Sequence, residues 1–287
     1  MKKIFFLLFF YLAINYGKEE DVVKYIEKGN LSLPTSQQLG PLFSFGQNVI
    51  DKGDFQVYAY DYFTKGNNKK SNELFPYPLY GIRDDLSIFL SIPAAKFKEN
   101  NQQTFGLEDM FIQAEYAYYN KDTSTYGNQA TAIGALFFPT GISDKNPSTG
   151  YGSVSFFLGG TYSHLAIDWY YFFSPGVFLT TKRKGIKFGN QFFYQAGIGK
   201  NIAYRSKKWL LTWMVEFNGM YSQPDKINNS KDPNSGGNIV YIGPSLFFST
   251  QRLILQVGIG VPITQHLFGN QNKNHFIVAG GIAWKFN

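Results

Sequence analysis

The chain has 287 residues, no cysteine and a formal net charge of +7; 16% of its residues are charged and 18% are aromatic. The charged share is well below the ~25% of an average globular protein. The lack of cysteine excludes disulfides, thiol chemistry and cysteine-ligated zinc, and the basic residues are too dispersed for a nucleic-acid surface. We therefore expect no cofactor, no metal and no nucleic-acid partner.

Residues 1–17 have the pattern of a secretory signal peptide. Lys2 and Lys3 precede an apolar run from Ile4 to Ile14, which is shorter than the ~20 residues of a membrane-spanning helix. We expect cleavage after Gly17, and the alternative is an uncleaved N-terminal anchor. Export of the mature chain follows from either reading.

Residues 18–53 differ from the rest of the chain. Val22, Val23 and Ile26 have helical spacing, and Gly29 suits the end of a short helix. The remainder is punctuated by proline and glycine and shows no sustained alternation. We expect an N-terminal helix and irregular segment that either hangs in the periplasm or plugs the lumen of a barrel.

From Asp54 to the C-terminus, apolar alternation and turn signals repeat. Most of the predicted strands are ten residues or longer, against ~5–6 in globular proteins, whereas a tilted transmembrane strand needs ~9–11. Short and long links mostly alternate, as in outer-membrane barrels. The predicted strands are 54–64, 72–82, 85–93, 106–119, 129–139, 151–163, 167–180, 187–202, 208–222, 238–248, 252–263 and 275–286.

The alternation indicates which face of each strand meets lipid. Strand 252–263 has an apolar residue at every odd position from Leu253 to Ile263, whereas its even positions include Gln256 and two glycines. Charged groups on a lipid-facing surface cost ~2–4 kcal/mol at the midplane, so the polar face points inward. A soluble β-sandwich with one solvated face is the alternative, but export, strand length and strand number favour a membrane barrel.

The sequence thus predicts an all-β, up-and-down transmembrane barrel of about 12 antiparallel strands over residues 54–287, in the outer membrane of a Gram-negative bacterium. The inward set mixes carboxylates, amides and phenylalanines, which suits a narrow path for a small, partly apolar solute. The residues predicted to line the lumen are Asp109, Gln113, Glu115, Phe157, Phe172, Gln191, Phe193, Gln195, Glu216 and Asn218.

A lumen closed by its own side chains and by residues 18–53 is the alternative to an open path. In that case we expect Glu115 and Glu216 to pair with lumen lysine or arginine, because unpaired buried charges are costly. The basic loop residues Lys182, Arg183 and Lys184, together with Lys187, could then contact anionic lipopolysaccharide.

Catalysis is not expected, although some outer-membrane lipases are twelve-stranded barrels. Their chemistry needs a serine activated by a histidine that a third group orients. Ser163 directly precedes His164, so on a strand the two side chains point to opposite faces. The chain is therefore not predicted to be an enzyme.

Four segments resemble one family: LYGIRDDLSIFLSIP, GLEDMFIQAEYAYY, LFFPTG and STGYGSVSFFLGGTYSH. A Tyr-Gly turn followed by Asp, a strand ending in Pro, a Gly-Leu-x-Asp strand start and a Pro-Thr-Gly strand exit are similar to the MetA-pathway of phenol degradation family of outer-membrane proteins. The similarity is clearest over residues 79–163. It implies a transporter of small, often aromatic solutes, although turn and strand-end motifs carry architecture more safely than substrate. The terminal Asn287 departs from the usual aromatic end of barrel chains.

Overall fold

The computed structural model describes residues 27–286 and is almost entirely β-structure. The predicted signal peptide and most of the predicted N-terminal helix lie outside the described residues. Within them, no helix is long and apolar enough to cross a bilayer. The elements are the 3₁₀ helices Gly29–Leu31 and Thr35–Gln37 and the strands β1 (Phe55–Gly66), β2 (Lys69–Arg83), β3 (Leu86–Ser91), β4 (Ala94–Glu99), β5 (Gln102–Leu107), β6 (Phe111–Asp122), β7 (Tyr126–Phe137), β8 (Ser155–Ala166), β9 (Trp169–Thr180), β10 (Ile186–Lys187), β11 (Gln191–Arg205), β12 (Trp209–Ser222), β13 (Lys226–Ile227), β14 (Ser230–Lys231), β15 (Gly237–Thr250), β16 (Leu253–Leu267) and β17 (Asn274–Phe286).

Twelve of these strands close into one antiparallel barrel. The first strand pairs along its whole length with β2 on one side and β17 on the other, which joins the two ends of the sheet. Closure pairs the two edges that an open sheet would expose. The predicted fold class is confirmed. Around the barrel, the order is β1, β2, β3, β6, β7, β8, β9, β11, β12, β15, β16 and β17.

The two ends of the barrel differ in the length of their connections. One end, here called the short-turn end, carries the start of β1, the end of β17 and the turns 84–85, 123–125, 167–168, 206–208 and 251–252. The opposite end, the long-loop end, carries every longer connection. The turn between β2 and β3, at residues 84–85, lies one residue later than predicted. The link predicted at 120–128 is the three-residue turn 123–125.

A hairpin replaces one predicted loop. Residues 94–107 form the paired strands β4 and β5. At the long-loop end, β4 pairs with β2 from Lys69 to Leu74. At the short-turn end, β3 pairs with β2 from Leu79 to Arg83. The hairpin supplies partners for backbone groups of β2 that would otherwise lie on an open edge. Its strand character was missed because its outward positions, Lys96 and Lys98, are charged rather than apolar.

The burial pattern follows the predicted alternation. In β3, Ser87 and Phe89 are buried and face the interior, whereas Leu90 is 38% exposed on the outer face. The same pattern recurs in β16, where Val257 and Ile259 point outward and Gln256 is buried. The polar face of the sheet therefore surrounds the lumen, and the apolar face forms the outer surface.

Residues 29–53 lie inside the barrel and are called the plug. Near its start, the Asn30 N–H donates to the Ile167 carbonyl (2.7 Å), and near its end the Gly53 N–H donates to the Gly81 carbonyl (2.8 Å). A Cβ at position 81 would lie 2.1 Å from the Asp51 carbonyl oxygen, so only glycine lets the plug run this close to β2. The Asp84 carboxylate accepts the Lys52 N–H at 2.9 Å. The Tyr-Gly-x-x-Asp motif thus positions the end of the plug.

One buried carboxylate holds the middle of the plug to the wall. Glu216, on β12, is 1% exposed. Three consecutive backbone N–H groups donate to it, those of Leu42 (2.8 Å to Oε1), Phe43 (3.1 Å to Oε2) and Ser44 (3.0 Å to Oε2). Hydrogen bonds from successive N–H groups form an anion-binding concavity, so the plug itself solvates this charge.

A second carboxylate does the same from the other side of the lumen. Glu115, on β6, accepts the Gln47 N–H (2.8 Å), the Asn48 N–H (3.1 Å) and the Thr131 hydroxyl (2.8 Å). Four barrel strands separate β6 from β12 in one direction and six in the other, so the plug bridges nearly opposite walls.

The expected pairing of these carboxylates with lysine or arginine is wrong. The ion pairs found between residues 27 and 286 join Arg83 to Asp85, Lys207 to Glu27 and Lys285 to Asp54, all away from Glu115 and Glu216. Backbone N–H groups satisfy both carboxylates because the plug brings consecutive unpaired donors to each one.

Replacing Glu216 by Gln should release the plug locally. The amide NH₂ would face N–H donors, so some of the three N–H groups would lose their acceptor, at a cost of roughly 1–3 kcal/mol for each. We expect hydrogen–deuterium exchange over residues 40–46 to accelerate at least tenfold, as measured by mass spectrometry in detergent. The exposed turn variant Asp168→Asn should exchange like the wild type. Unchanged exchange in Glu216→Gln would show that the carboxylate does not hold the plug.

Candidate functional site

An aromatic cavity of about 570 Å³ lies in the lumen between the plug and the long-loop end. Ligand pockets commonly occupy ~300–1,000 Å³ and are mostly apolar with a few placed polar groups. The plug forms one boundary, and the inward faces of the strands form the walls. Its aromatic side chains include Phe45, Tyr62, Phe75, Tyr77, Phe89, Phe111, Phe137, Tyr151, Phe157, Phe178 and Phe193.

The structure places the ten residues predicted to line the lumen in three settings. Glu115 and Glu216 bind the plug, as described above. Phe172 is buried in the core cluster that the walls form with plug residues Leu33 and Leu39. The others border the aromatic cavity: Asp109, Gln113, Phe157, Gln191, Phe193, Gln195 and Asn218.

A phenylalanine of the plug packs between wall phenylalanines. The Phe45 ring lies edge-on to Phe157, with a centroid distance of 4.7 Å, and to Phe193, at 6.1 Å. Such edge-to-face pairs contribute ~0.5–1.5 kcal/mol beyond their buried area. The same surface offers edges and faces to any aromatic ring that enters the cavity.

The amide side chains that border the cavity differ in how many hydrogen bonds they form. Gln195 accepts the Phe45 N–H (3.0 Å) and donates to Asn218 (3.1 Å), which in turn donates to the Phe43 carbonyl. These two amides therefore hold the plug. Gln113 is 7% exposed and, within residues 27–286, forms no side-chain hydrogen bond. Its amide is available to a solute.

Two motifs of the family resemblance meet at the rim of the cavity. Asp109, of the Gly-Leu-x-Asp motif, accepts the N–H of Gly141 (2.9 Å) and that of Tyr151 (2.8 Å). Thr140, of the Pro-Thr-Gly motif, donates to the Glu108 carbonyl (2.9 Å). A Cβ at Gly150 would lie 2.4 Å from the Asp109 carboxylate. The motifs thus fasten the loop 138–154 to the wall.

The neighbouring carboxyl groups at this rim differ in their hydrogen bonding. Burial raises the pKa of Asp109, and the hydrogen bonds from Tyr151 and Gly141 oppose that rise. Burial, together with the nearby carboxylates of Glu73 and Asp109, raises the pKa of Glu108 to about 8. Glu108 has a buried oxygen without a hydrogen-bond partner, which is consistent with a protonated carboxyl at neutral pH.

A second cavity of about 310 Å³ lies on the short-turn side of the plug. Its lining shares Pro41, Gly46, Asn48 and Tyr60 with the aromatic cavity. The plug between Pro41 and Asn48 is therefore the barrier between the two spaces, and it is the stretch that Glu216 and Glu115 hold.

Sequence reasoning missed an inward column of tyrosines. Tyr60 donates to Gln256 (2.8 Å) and Tyr62 donates to the Leu42 carbonyl (2.8 Å), while Tyr58 stacks on Tyr77 at 4.9 Å. The alternating tyrosines of VYAYDY were a signal for this column. Asp168, which lies within the predicted strand 167–180, is instead exposed in the turn before β9.

Metal binding has no evident site in the described chain. Between residues 27 and 286, no three histidine, aspartate or glutamate side chains are placed to share an ion. His164 and His275 each bond an asparagine, Asn128 and Asn67 respectively.

Comparison with solved structures places the fold among outer-membrane channels. The barrel is similar to the COG4313 outer membrane channel from Pseudomonas putida F1, with a TM-score of 0.70 and 13% identity, covering 87% of this chain and 99% of that one. The NanC porin is a more distant neighbour, with a TM-score of 0.49 and 11% identity over 80% of this chain and 100% of that one. No curated protein matches the chain in sequence.

The barrel architecture and the outer-membrane location are confirmed by this likeness, and an outer-membrane barrel contacts membrane lipid. Bacterial barrels have short periplasmic turns and long external loops, so we expect the short-turn end on the periplasmic side and the long-loop end on the external side. Residues 41–266 match the family described as "Putative MetA-pathway of phenol degradation". The match spans the second half of the plug and the barrel strands from β1 almost to the end of β16, and the chain belongs to this family.

Proposed function

We propose that the protein is a passive channel for small, uncharged aromatic solutes that enter the aromatic cavity from the long-loop end. The observation that carries the proposal is a cavity of about 570 Å³ inside a channel-like barrel, walled by phenylalanine and tyrosine. Aromatic walls stabilise aromatic solutes through burial and edge-to-face contacts.

The charges around the cavity favour a neutral solute. No lysine, arginine or histidine appears in its described lining, which does contain Glu73, Glu108 and Asp109. An aromatic carboxylate would meet the Asp109 carboxylate without a compensating cation. A phenolic hydroxyl or a neutral amine instead finds the amide of Gln113, which can donate and accept.

Passage to the periplasm requires a change in the plug. The segment from Pro41 to Asn48 separates the two cavities, and hydrogen bonds and ring contacts hold it in the lumen. Local opening of such a segment is an ordinary low-energy fluctuation compared with global unfolding. The opposing hypothesis is a permanently closed barrel with a structural role, which the filled lumen favours. Neither hypothesis assigns catalysis to the chain.

The ring of Phe193 should contribute to solute binding. Phe193→Ala removes an edge contact with Phe45 and Phe157, and we expect phenol to bind roughly three- to tenfold more weakly. Isothermal titration calorimetry in detergent measures the affinity. The matched control is Phe192→Ala, since Phe192 lies next in the same strand but is 41% exposed on the outer face. Equal losses in both variants, or none in either, would exclude this cavity as the binding site.

Loosening the plug should increase permeation. The double variant Glu115→Ala/Glu216→Ala removes the acceptors of both N–H clusters, so the barrier between the cavities should open more often. We expect higher conductance in planar bilayers and faster phenol entry into proteoliposomes than for the wild type, with Asp168→Asn unchanged. Impermeable wild type and impermeable double variant together would support the closed barrel.

The raised pKa of Glu108 predicts a pH-dependent stability. The ordinary pKa of 4.5 rises to about 8 in the folded protein, so the folded state binds the proton more tightly than the unfolded chain. The resulting stabilisation is complete below the ordinary pKa and is lost as the pH rises through the folded value. Relative to Glu108→Gln, we expect the wild type to lose roughly 2–4 kcal/mol of unfolding free energy between pH 5 and pH 9.

Chemical denaturation in detergent measures this difference. The control is Asp144→Asn, which changes an exposed carboxylate in the neighbouring loop and should reproduce the wild-type profile. Parallel profiles for the wild type and Glu108→Gln would show that Glu108 does not titrate in this range.

A further inference from the structure

Three lysines lie side by side on the outer face of the barrel at the long-loop end. Lys65 of β1 is directly opposite Lys70 of β2, and Lys70 is directly opposite Lys98 of β4. We call these residues the lysine row. All three side chains are exposed, and Lys96, also exposed, occupies the next outward position of β4 toward the membrane.

The lysine row concentrates positive charge without an internal counter-charge. Side chains directly opposite on neighbouring strands are ~4.5–5.5 Å apart at Cβ, and like charges there repel. In the described chain, neither the lysine row nor Lys96 forms an ion pair. The outward carboxylate of this face, Asp61, lies two outward positions below Lys65 and accepts a hydrogen bond from Asn72 (2.7 Å). An external anion would relieve the repulsion.

An apolar surface continues directly below the lysine row. Phe63 is two residues from Lys65 on the same face, and Lys96 is paired with Phe105, which is 73% exposed. Leu74 and Leu107 follow at the next outward positions, 45% and 50% exposed. Cationic side chains thus lie immediately above a lipid-facing patch that includes an unusually exposed ring.

The height of the lysine row matches the outer boundary of the membrane. Phe55 and Lys65 are both outward in β1. A separation of ten residues at ~3.3 Å each, tilted by ~40°, spans ~25 Å along the barrel axis, which is the height of the apolar band of an outer-membrane barrel. Lysine stems can follow the apolar surface while their ammonium groups reach the headgroup level.

We propose that the lysine row, with Lys96, is a binding site for the phosphorylated lipid A of the outer leaflet. The ammonium groups bind the glucosamine phosphates, and the patch formed by Phe63, Leu74, Phe105 and Leu107 packs against the acyl chains. Charge complementarity and position at the external edge of the apolar band select this amphiphile over a soluble anion or an uncharged lipid.

The site differs from the basic loop first considered from the sequence. There, Lys182 donates to Asn229 (2.7 Å) and Arg183 donates to the Gly152 carbonyl, so these side chains already serve the loop structure. Lys184 lies beside them and Lys187 ends the short strand β10 in the same connection, and these two residues complete the set. This set is therefore a matched control with the same number of positive charges at the same end.

The test compares lipid A binding by full-length variants in detergent. The row variant is Lys65→Gln/Lys70→Gln/Lys96→Gln/Lys98→Gln, and the loop variant is Lys182→Gln/Arg183→Gln/Lys184→Gln/Lys187→Gln. Native mass spectrometry with bisphosphorylated lipid A should show roughly tenfold or greater weakening in the row variant and less than twofold in the loop variant. Arginine in place of Lys65, Lys70, Lys96 and Lys98 should preserve binding.

Further arms identify the chemistry. Dephosphorylated lipid A should bind the wild type as weakly as bisphosphorylated lipid A binds the row variant, and millimolar inorganic phosphate should not displace the lipid. Heat-dependent gel mobility verifies folding, and Lys65→Gln/Lys98→Gln replaces the row variant if it fails to fold. Undiminished binding by the folded variant, equal loss in the loop variant, or displacement by phosphate alone would overturn the proposal.

Discussion

Two buried carboxylates and the backbone N–H groups they accept determine the interior of this protein. Glu216 and Glu115 stand on nearly opposite walls and have no cation beside them in the described chain. Each would be costly to bury alone. The plug offsets this cost for both carboxylates, because residues 42–44 and 47–48 donate successive backbone N–H groups to them. Conversely, a stretch without helix or strand, such as residues 38–53, can lie in a barrel interior only if acceptors of this kind bind its backbone N–H groups. The N–H groups of the plug thus offset the cost of burying the carboxylates, and the carboxylates offset the cost of burying those N–H groups.

The division of the lumen follows from this bridge. Between its two anchored stretches, the plug projects Phe45 toward the aromatic wall and separates the aromatic cavity from the cavity on the short-turn side. The amides of Gln195 and Asn218 reinforce the bridge, so the polar groups of the lumen largely bind the plug instead of lining an aqueous path. What remains for a solute is an aromatic surface with a free amide at Gln113. That surface suits apolar solutes far better than ions.

The short motifs that relate the chain to its family act at junctions between distant segments. Gly81 and Asp84 receive the end of the plug, while Asp109 and Thr140 join the loop 138–154 to the start of β6. Such residues are set by close backbone approach and by N–H groups that need an acceptor. They therefore identify the architecture well and say little about function. Strand pairing likewise creates a feature of the outer surface, because it aligns Lys65, Lys70 and Lys98 from three separate strands.

The sequence by itself determined the twelve-stranded wall, its inward and outward faces and most of its turns, because a strand's side chains alternate with period two and lipid tolerates only apolar groups. It also indicated which polar side chains point inward. Only the tertiary structure decided what those side chains bind. The partners of Glu216 lie more than 170 residues away along the chain, and they are backbone groups, which every residue carries and no side-chain pattern reveals. The lysine row escaped the pattern for a related reason, because it depends on the register between strands, which only the folded sheet specifies.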